Sequence, residues 1–293
     1  MLDFTGRVVI VTGAGRGIGR AYAHLLGARG ASVVVNDLGG DTDGRNPSDG
    51  PASAVAAEIE AAGGTAVANA GSVADPKDVE ALVALAVERF GRIDAVINNA
   101  GNYRLGKFEE LEPEVYQSFL DVHYHGSLLL SRAAWPHLAA SGSGRVVNTV
   151  SAALTGQPDM VHYGSAKGAV YGLTRALAVA GAAHGIKVNA VAPGAGTRMM
   201  DVAAPALPPG TAEYMQEQMP PEMVAPVGAY LAHADCAITG EVLNAAGGYV
   251  SRMVMVGTPG IHDPELSPET VAARIDEITD TANAQPAELA FPS

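Results

Sequence analysis

Tyr163 and Lys167 stand four positions apart in YGSAK (163–167), within a stretch otherwise rich in alanine and glycine. An α-helix turns once in about 3.6 residues, so helical backbone here puts the phenol and the ammonium on one face, where both can act on a common object. A phenol titrating near pH ~10 is a poor proton acceptor at neutral pH, and lowering it by about three units requires roughly 4 kcal/mol of preference for the phenolate. A unit positive charge about 4 Å away, at an effective dielectric near 20, supplies energy of that order. The pair can therefore do general acid–base work if the chain brings a substrate and a cofactor to it. A solvated Tyr/Lys pair on an amphipathic helix has the same spacing, so the other motifs decide.

TGAGRGIG (12–19) follows directly on the β-branched run RVVIVT (7–12) and opens a helix-like stretch. Glycines in such a turn let backbone amides approach a pyrophosphate, whose charge the helix N-terminus stabilises. The next β-branched run ends in Asn36-Asp37, about where an acidic residue accepts hydrogen bonds from an adenosine ribose. A carboxylate facing that ribose repels a 2′-phosphate and favours NAD over NADP. Arg16, inside the turn, pulls the other way, and an ordinary turn role for Asp37 is the competing reading.

The elements that must position these groups alternate along the chain. RVVIVT (7–12), SVVVN (32–36), TAVA (65–68), DAVIN (94–98), RVVNTV (145–150), KVNAVA (187–192) and EVLNAA (241–246) read as strands buried on both faces. Helix-like stretches lie near 17–29, 52–62, 76–90, 114–139, 161–183 and 222–233. This alternation predicts an α/β fold of one domain, a doubly wound, mostly seven-stranded parallel sheet spanning 1–251. A C-terminal extension follows over 252–293, where SPETVAARIDEITD reads as a helix capped by Ser267 ahead of Pro268. A polar insertion (39–53) and a Pro- and Met-rich segment within 198–221, read as a substrate lid, break the rhythm.

Composition excludes several classes. A net charge of −13 argues against general nucleic-acid binding and against an anionic membrane surface. One cysteine, Cys236, allows neither an internal disulfide nor a thiolate metal cluster within one chain. The segment MLDFTGRVVIVTG lacks the pattern of a secretory signal, and no apolar run approaches the roughly 18 residues of a membrane span, which predicts a cytoplasmic protein without bound metal.

With NNAG (98–101) and PGAGT (193–197) added to TGAGRGIG and YGSAK, the chain resembles the short-chain dehydrogenase/reductase family from residue 5 to about residue 250. The resemblance implies that Tyr163 is the acid–base, and that Lys167 holds the nicotinamide ribose and lowers the phenol with help from the positive nicotinamide ring. Ser151 would then bind the substrate oxygen. It implies dinucleotide contacts at Thr12, Gly13, Arg16, Gly17, Ile18 and Gly19 in the turn, and at Asp37 after the second strand. Ser72 and Val73 would flank adenine, while Asn99, Ala100, Gly101, Pro193, Gly194 and Thr197 would line the rest.

Two departures stand out. Ser151 precedes Tyr163 by one position fewer than is usual in the family, so either the loop is shorter or Thr149 shares the role. His123, in DVHYHG (121–126), replaces the family's usual asparagine, whose place is near a proton-relay water. VVNDLGGD (34–41), VHYHG (122–126), RAAW (132–135) and APGAGTRM (192–199) resemble the (3R)-hydroxyacyl-CoA dehydrogenase domain of peroxisomal multifunctional enzyme type 2 and its bacterial relatives, in which histidine also holds that position. This implies NAD-dependent oxidation of a 3-hydroxyacyl thioester, or of another secondary alcohol or ketone, with Arg104 and Lys107 as local cations for coenzyme A. NADPH-dependent reduction of a 3-oxoacyl-carrier-protein or ketone is the alternative, and a dinucleotide sensor without turnover the distant one. The small-residue stripe Gly164, Gly168, Gly172, Ala176 and Ala180, with the family resemblance, predicts a homotetramer or homodimer.

Overall fold

A computed structural model describes residues 1–291 of the protein. The predicted strands form β1 (Val8–Thr12), β2 (Ser32–Asn36), β3 (Thr65–Asn69), β4 (Ala95–Asn98), β5 (Arg145–Thr149), β6 (Lys187–Gly194) and β7 (Val242–Ala246). All seven pair in parallel, in the order β3-β2-β1-β4-β5-β6-β7. An eighth strand, β8 (Tyr249–Met253), pairs antiparallel on β7 and extends the sheet past the expected seven. Its hairpin turns on Gly247 and Gly248, both with positive φ (53° and 81°), the backbone that a two-residue turn of this hand requires. Because β8 runs to Met253, the sheet crosses the boundary expected at residue 251.

The helices are α1 (Gly17–Ala28), α2 (Gly50–Ala61), α3 (Pro76–Phe90), α4 (Pro113–Leu120), α5 (Gly126–Ala140), α6 (Val161–Gly181), α7 (Arg198–Ala203), α8 (Thr211–Gln218) and α9 (Ala225–Ala232), with α10 (Pro268–Ala273) and α11 (Ile275–Thr279) in the tail. Alternate strand residues serve opposite faces. Val9, Val11, Val33, Val35 and Ile97 pack with α1, α2 and α9, while Ile10, Val34, Val96, Val146 and Val188 pack with α3, α5 and α6. Each fully buried aliphatic side chain of this kind contributes about 1.5–3 kcal/mol. Such burial on both faces is why the strand runs are almost continuously apolar.

The chain leaves β1 toward β2 and β3, then returns to the other side of β1 with β4. That reversal opens a crevice at the carboxyl ends of the strands, the place where doubly wound sheets hold ligands.

Three local departures concern the site. The helix expected over 114–139 is interrupted between α4 and α5 by a π-helical turn, Asp121–His125, a distortion that often marks functional positions. Residues 198–221 hold two short helices, α7 and α8, and Gln216 Nε2 donates to the Thr197 carbonyl at 3.0 Å, tying the segment to the end of β6. The tail carries two helices rather than one. Ser267 caps the first, accepting from Thr270 N at 3.1 Å, and Arg175 donates to the Ala287 carbonyl to fasten the tail on α6.

Candidate active site

The glycine-rich turn is built against the β4 loop. A Cβ on Gly13 would stand 2.8 Å from Ala100 Cα, and one on Gly19 would stand 2.1 Å from the Gly13 carbonyl oxygen, so neither position tolerates a side chain. Thr12 Oγ1 accepts from the amides of Asn99 and Ala100 at 3.0 Å each. In return Asn99 Nδ2 donates to the carbonyls of Thr12 (3.0 Å) and Gly13 (3.1 Å). Beneath them Asn98 Nδ2 donates to Asn148 Oδ1 (2.8 Å) and Ser131 Oγ (3.1 Å), and Asn148 Nδ2 donates to Thr174 Oγ1 (3.0 Å). This buried chain pins β4 to β5, α5 and α6 at the floor of the crevice.

A cavity of about 370 Å³ lies above that floor, within the roughly 300–1,000 Å³ of small-molecule sites. Gly13, Arg16, Gly17, Ile18, Asp37, Ser72 and Val73 line it. Asn99, Ala100, Gly101, Thr149, Tyr163, Pro193 and Thr197 line it too. Of the residues expected to touch a dinucleotide, Thr12, Gly19, Gly194 and Lys167 stand behind this lining: the first two brace the turn, Gly194 ends β6, and Lys167 is buried beneath Thr149. Sequence reasoning missed Arg198 and Met199 from the lid, together with Leu38 and Gly40 from the insertion. Asp37 is buried, and each carboxylate oxygen already accepts an amide at 2.7 Å, Oδ2 from Gly15 and Oδ1 from Gly39. It therefore shapes the turn and also presents its charge to the cavity.

At the far end Tyr163 and Lys167 do share a face of α6, with Nζ 5.5 Å from the phenol ring centre. Tyr103 and His123 meet the Tyr163 ring edge-on, at centroid distances of 5.5 and 5.4 Å, and hold it in place. Burial pushes the phenol up to about 12; the Ser151 hydroxyl, hydrogen-bonded to it, acts in the opposite sense, and Tyr103 adds to the rise. Burial likewise pushes the Lys167 ammonium down to about 7. Its Nζ donates to the Thr149 carbonyl at 2.7 Å. Of the groups acting on the phenol, the Ser151 hydroxyl lowers it, against the larger effect of desolvation.

The Ser151 hydroxyl acts on the Tyr163 phenol and caps the short 3₁₀ turn Ala152–Thr155, accepting from Ala153 N at 3.2 Å. Thr149 contributes its backbone carbonyl to Lys167, and its own hydroxyl is buried without a partner. His123 is 2% exposed, donates Nε2–H to the Asn102 carbonyl (3.1 Å), and leaves Nδ1 buried and unpaired. Burial first, then Lys167, holds the imidazole well below its ordinary pKa, so it is neutral. Gly101 makes room for it, since a Cβ there would lie 2.6 Å from His123 Cε1.

Around the phenol lies an apolar cluster drawn from three segments: Tyr103 and Leu105; Ala153 and Met160; and Met199, Met200, Val202, Ala203 and Leu207 of the lid. Arg104 and Lys107, expected to be cations for coenzyme A, do not line the cavity; both are exposed, and Lys107 pairs with Glu110 at 3.0 Å.

The model for short chain dehydrogenases matches residues 7–205, well over half of the chain. The protein belongs to the short chain dehydrogenase family. It is 43% identical over 282 residues to a putative short-chain type dehydrogenase/reductase of Mycobacterium tuberculosis, covering 95% of this chain and 96% of that one. Mouse peroxisomal multifunctional enzyme type 2 is 39% identical over 97% of this chain, which spans 38% of that enzyme. A crystal structure of a short chain dehydrogenase from Mycobacterium avium superposes with a TM-score of 0.81 at 35% identity, covering 99% of each chain. This short chain dehydrogenase is accordingly an oxidoreductase that acts on CH–OH groups with a nicotinamide dinucleotide. Among the described residues no group of acidic, histidine and cysteine side chains is arranged to hold a metal, and no helix is long and apolar enough to cross a membrane.

Proposed function

We propose that the protein oxidises the 3-hydroxyl of an acyl thioester with NAD. The observation that carries this reading is the apolar, methionine-rich cluster around Tyr163, opposite a cleft whose adenosine end presents Asp37. Polarisable, unbranched methionines adapt to flexible apolar chains, as an acyl group requires. The glycine turn, which a Cβ at Gly13 would obstruct, and the cavity joining it to Tyr163 fit a dinucleotide lying between Asp37 and Thr149.

When bound, an oxidised nicotinamide supplies the hydride acceptor and a positive charge beside the phenol. Tyr163, as phenolate, removes the proton from the substrate hydroxyl. Ser151 donates to the same substrate oxygen and fixes its distance from Tyr163. Lys167, held on the Thr149 carbonyl beside the cavity wall, would bind the nicotinamide ribose and return a proton path to the phenol. His123, neutral and wedged under the ring, positions Tyr163 rather than exchanging charge. Turnover of a series of 3-hydroxyacyl-CoA thioesters, with steroid and simple secondary alcohols for comparison, tests the assignment: kcat/KM should be highest for the thioesters. A preference for simple alcohols would overturn it.

Cofactor choice follows from Asp37. Asp37→Ala removes the charge that repels a 2′-phosphate and frees the amides of Gly15 and Gly39, so affinity for NAD falls while the gap to NADP narrows. Measured kcat/KM for both cofactors decides it, and a wild type that prefers NADP refutes the NAD assignment. That result would favour the reductase reading, for which Arg16 on the cavity wall is the supporting residue.

We also infer an oligomer assembled through α6. A Cβ at Gly164 would meet the Ala153 carbonyl at 2.8 Å, but one at Gly168 or Gly172 meets nothing within 4 Å, and Ala176 and Ala180 are exposed. The protein's own sheet therefore does not recover the roughly 1 kcal/mol that each helical glycine costs. A second subunit approaching this stripe would. Gly172→Leu should lower the assembly state while leaving the monomer folded. Light scattering on the wild type gives the check, and a mass near the 29.8 kDa of one chain contradicts the inference.

A further inference from the structure

Two arginines distant in sequence converge at the mouth of the cleft. Arg16 Nη1, in the glycine turn, and Arg198 Nη1, the first residue of α7 in the lid, donate to the same acceptor, the carbonyl of Gly40 in the polar insertion, at 3.1 and 3.0 Å. Both line the cavity and both are exposed there. Each guanidinium carries five N–H donors. The single bond to Gly40 is the one protein hydrogen bond either side chain makes among the described residues, and neither forms a salt bridge.

Acidic groups are close enough to matter. Asp37 and Asp41 act on Arg198 without a hydrogen bond to it: both oxygens of Asp37 accept amides, of Gly15 and Gly39, and Asp41 Oδ2 accepts from Asn46 Nδ2 at 2.7 Å. Two like charges gathered on one neutral carbonyl, with most of their donors unused, form a fork suited to an anion with several oxygens.

We propose that Arg16 and Arg198 are the two arms of a phosphate clamp, taking a phosphate group of the dinucleotide or of a coenzyme A thioester and, through Gly40, drawing the lid and the insertion onto it. The proposal rests on the dinucleotide-dependent reading given above. The same insertion reaches the catalytic end, because the Tyr103 amide donates to the Thr42 carbonyl at 2.8 Å and the Tyr103 ring packs on Tyr163. Closure of the clamp is thereby linked to the wall of the phenol.

Calorimetric binding of NAD, NADP, coenzyme A and adenosine to the wild type and to Arg16→Ala, Arg198→Ala and Arg198→Lys tests the clamp. Each alanine variant should weaken at least one phosphate-bearing ligand about tenfold or more, with adenosine changed less than twofold, and Arg198→Lys should recover only part of the loss. Equal losses for NAD and NADP place the diphosphate in the clamp; a loss confined to NADP places the 2′-phosphate there, and one confined to coenzyme A places its phosphates there. All three outcomes uphold the proposal. Changes below twofold for every phosphate ligand, or a parallel loss of adenosine, overturn it. A wild type that binds neither dinucleotide overturns the dehydrogenase reading itself, whereas wild-type binding with unaltered variants overturns only the clamp.

Discussion

Tyr163→Phe leaves dinucleotide affinity within about twofold of wild type and lowers turnover by roughly 10²–10⁴, the range for loss of a general acid–base. The substitution removes one hydroxyl and keeps the ring that Tyr103, His123 and Phe119 enclose, so the surrounding packing is preserved. The phenol stands at the cavity wall, and the contacts expected to hold the adenosine half come from other residues, Asp37, Ser72 and Val73. Parallel titration of cofactor and measurement of kcat separate the two quantities. Turnover near wild type would show that another group moves the proton.

Lys167→Met abolishes efficient turnover and makes the protein more stable near neutral pH. Lys167 is 3% exposed and pushed by burial from 10.5 down to about 7. A depression of this size corresponds to roughly 4–5 kcal/mol of cost for keeping the charged form folded. Losing the donor to the Thr149 carbonyl returns about 1–3 kcal/mol of that, so the net gain at pH 6–7 is on the order of 2 kcal/mol. The sign follows from proton uptake. Between about pH 7 and 10.5 the unfolded chain holds this proton and the folded one does not, so the wild type regains stability as pH rises through that window. The variant's advantage should therefore be full at pH 6 and largely gone by pH 10. Denaturant unfolding at the two pH values checks it, and a variant less stable than wild type at pH 6 would contradict the assignment of a buried, destabilising lysine.

The parallel core was legible because buried strands are apolar on both faces and each was bounded by a turn or a helix start. β8 was not, since YVSRM alternates weakly and Tyr249 and Val250 remain exposed; the signal that could have exposed it is Gly247-Gly248, a hairpin turn directly after β7. The π turn at His123 was equally hidden, because one extra residue in a helix leaves the local periodicity almost unchanged. Among the site residues, the glycine turn, Tyr163 and Lys167 could be read from spacing, since each needs only its own element. The Asn98–Asn148 bond depends on β4 and β5 lying in register, and polar residues inside two apolar runs were its only trace. Arg198 and the Met160–Met199 cluster required the lid to fold over the crevice, which no local pattern encodes. The desolvation of the phenol left no local trace for a similar reason. Charge separation can be guessed from helical spacing, whereas desolvation depends on everything packed around the ring.

In the proposed reaction hydride leaves the carbinol carbon of a 3-hydroxyacyl thioester for NAD at the face that Tyr163 and Ser151 define. Its most direct test uses a 3-hydroxyacyl-CoA deuterated at C3, incubated with NAD and the enzyme, with mass spectrometry of the reduced cofactor. One deuterium should appear in the reduced nicotinamide formed by the wild type, and this product should be lost with Tyr163→Phe. Absence of reduced cofactor, or reduced cofactor that carries no label, would contradict it.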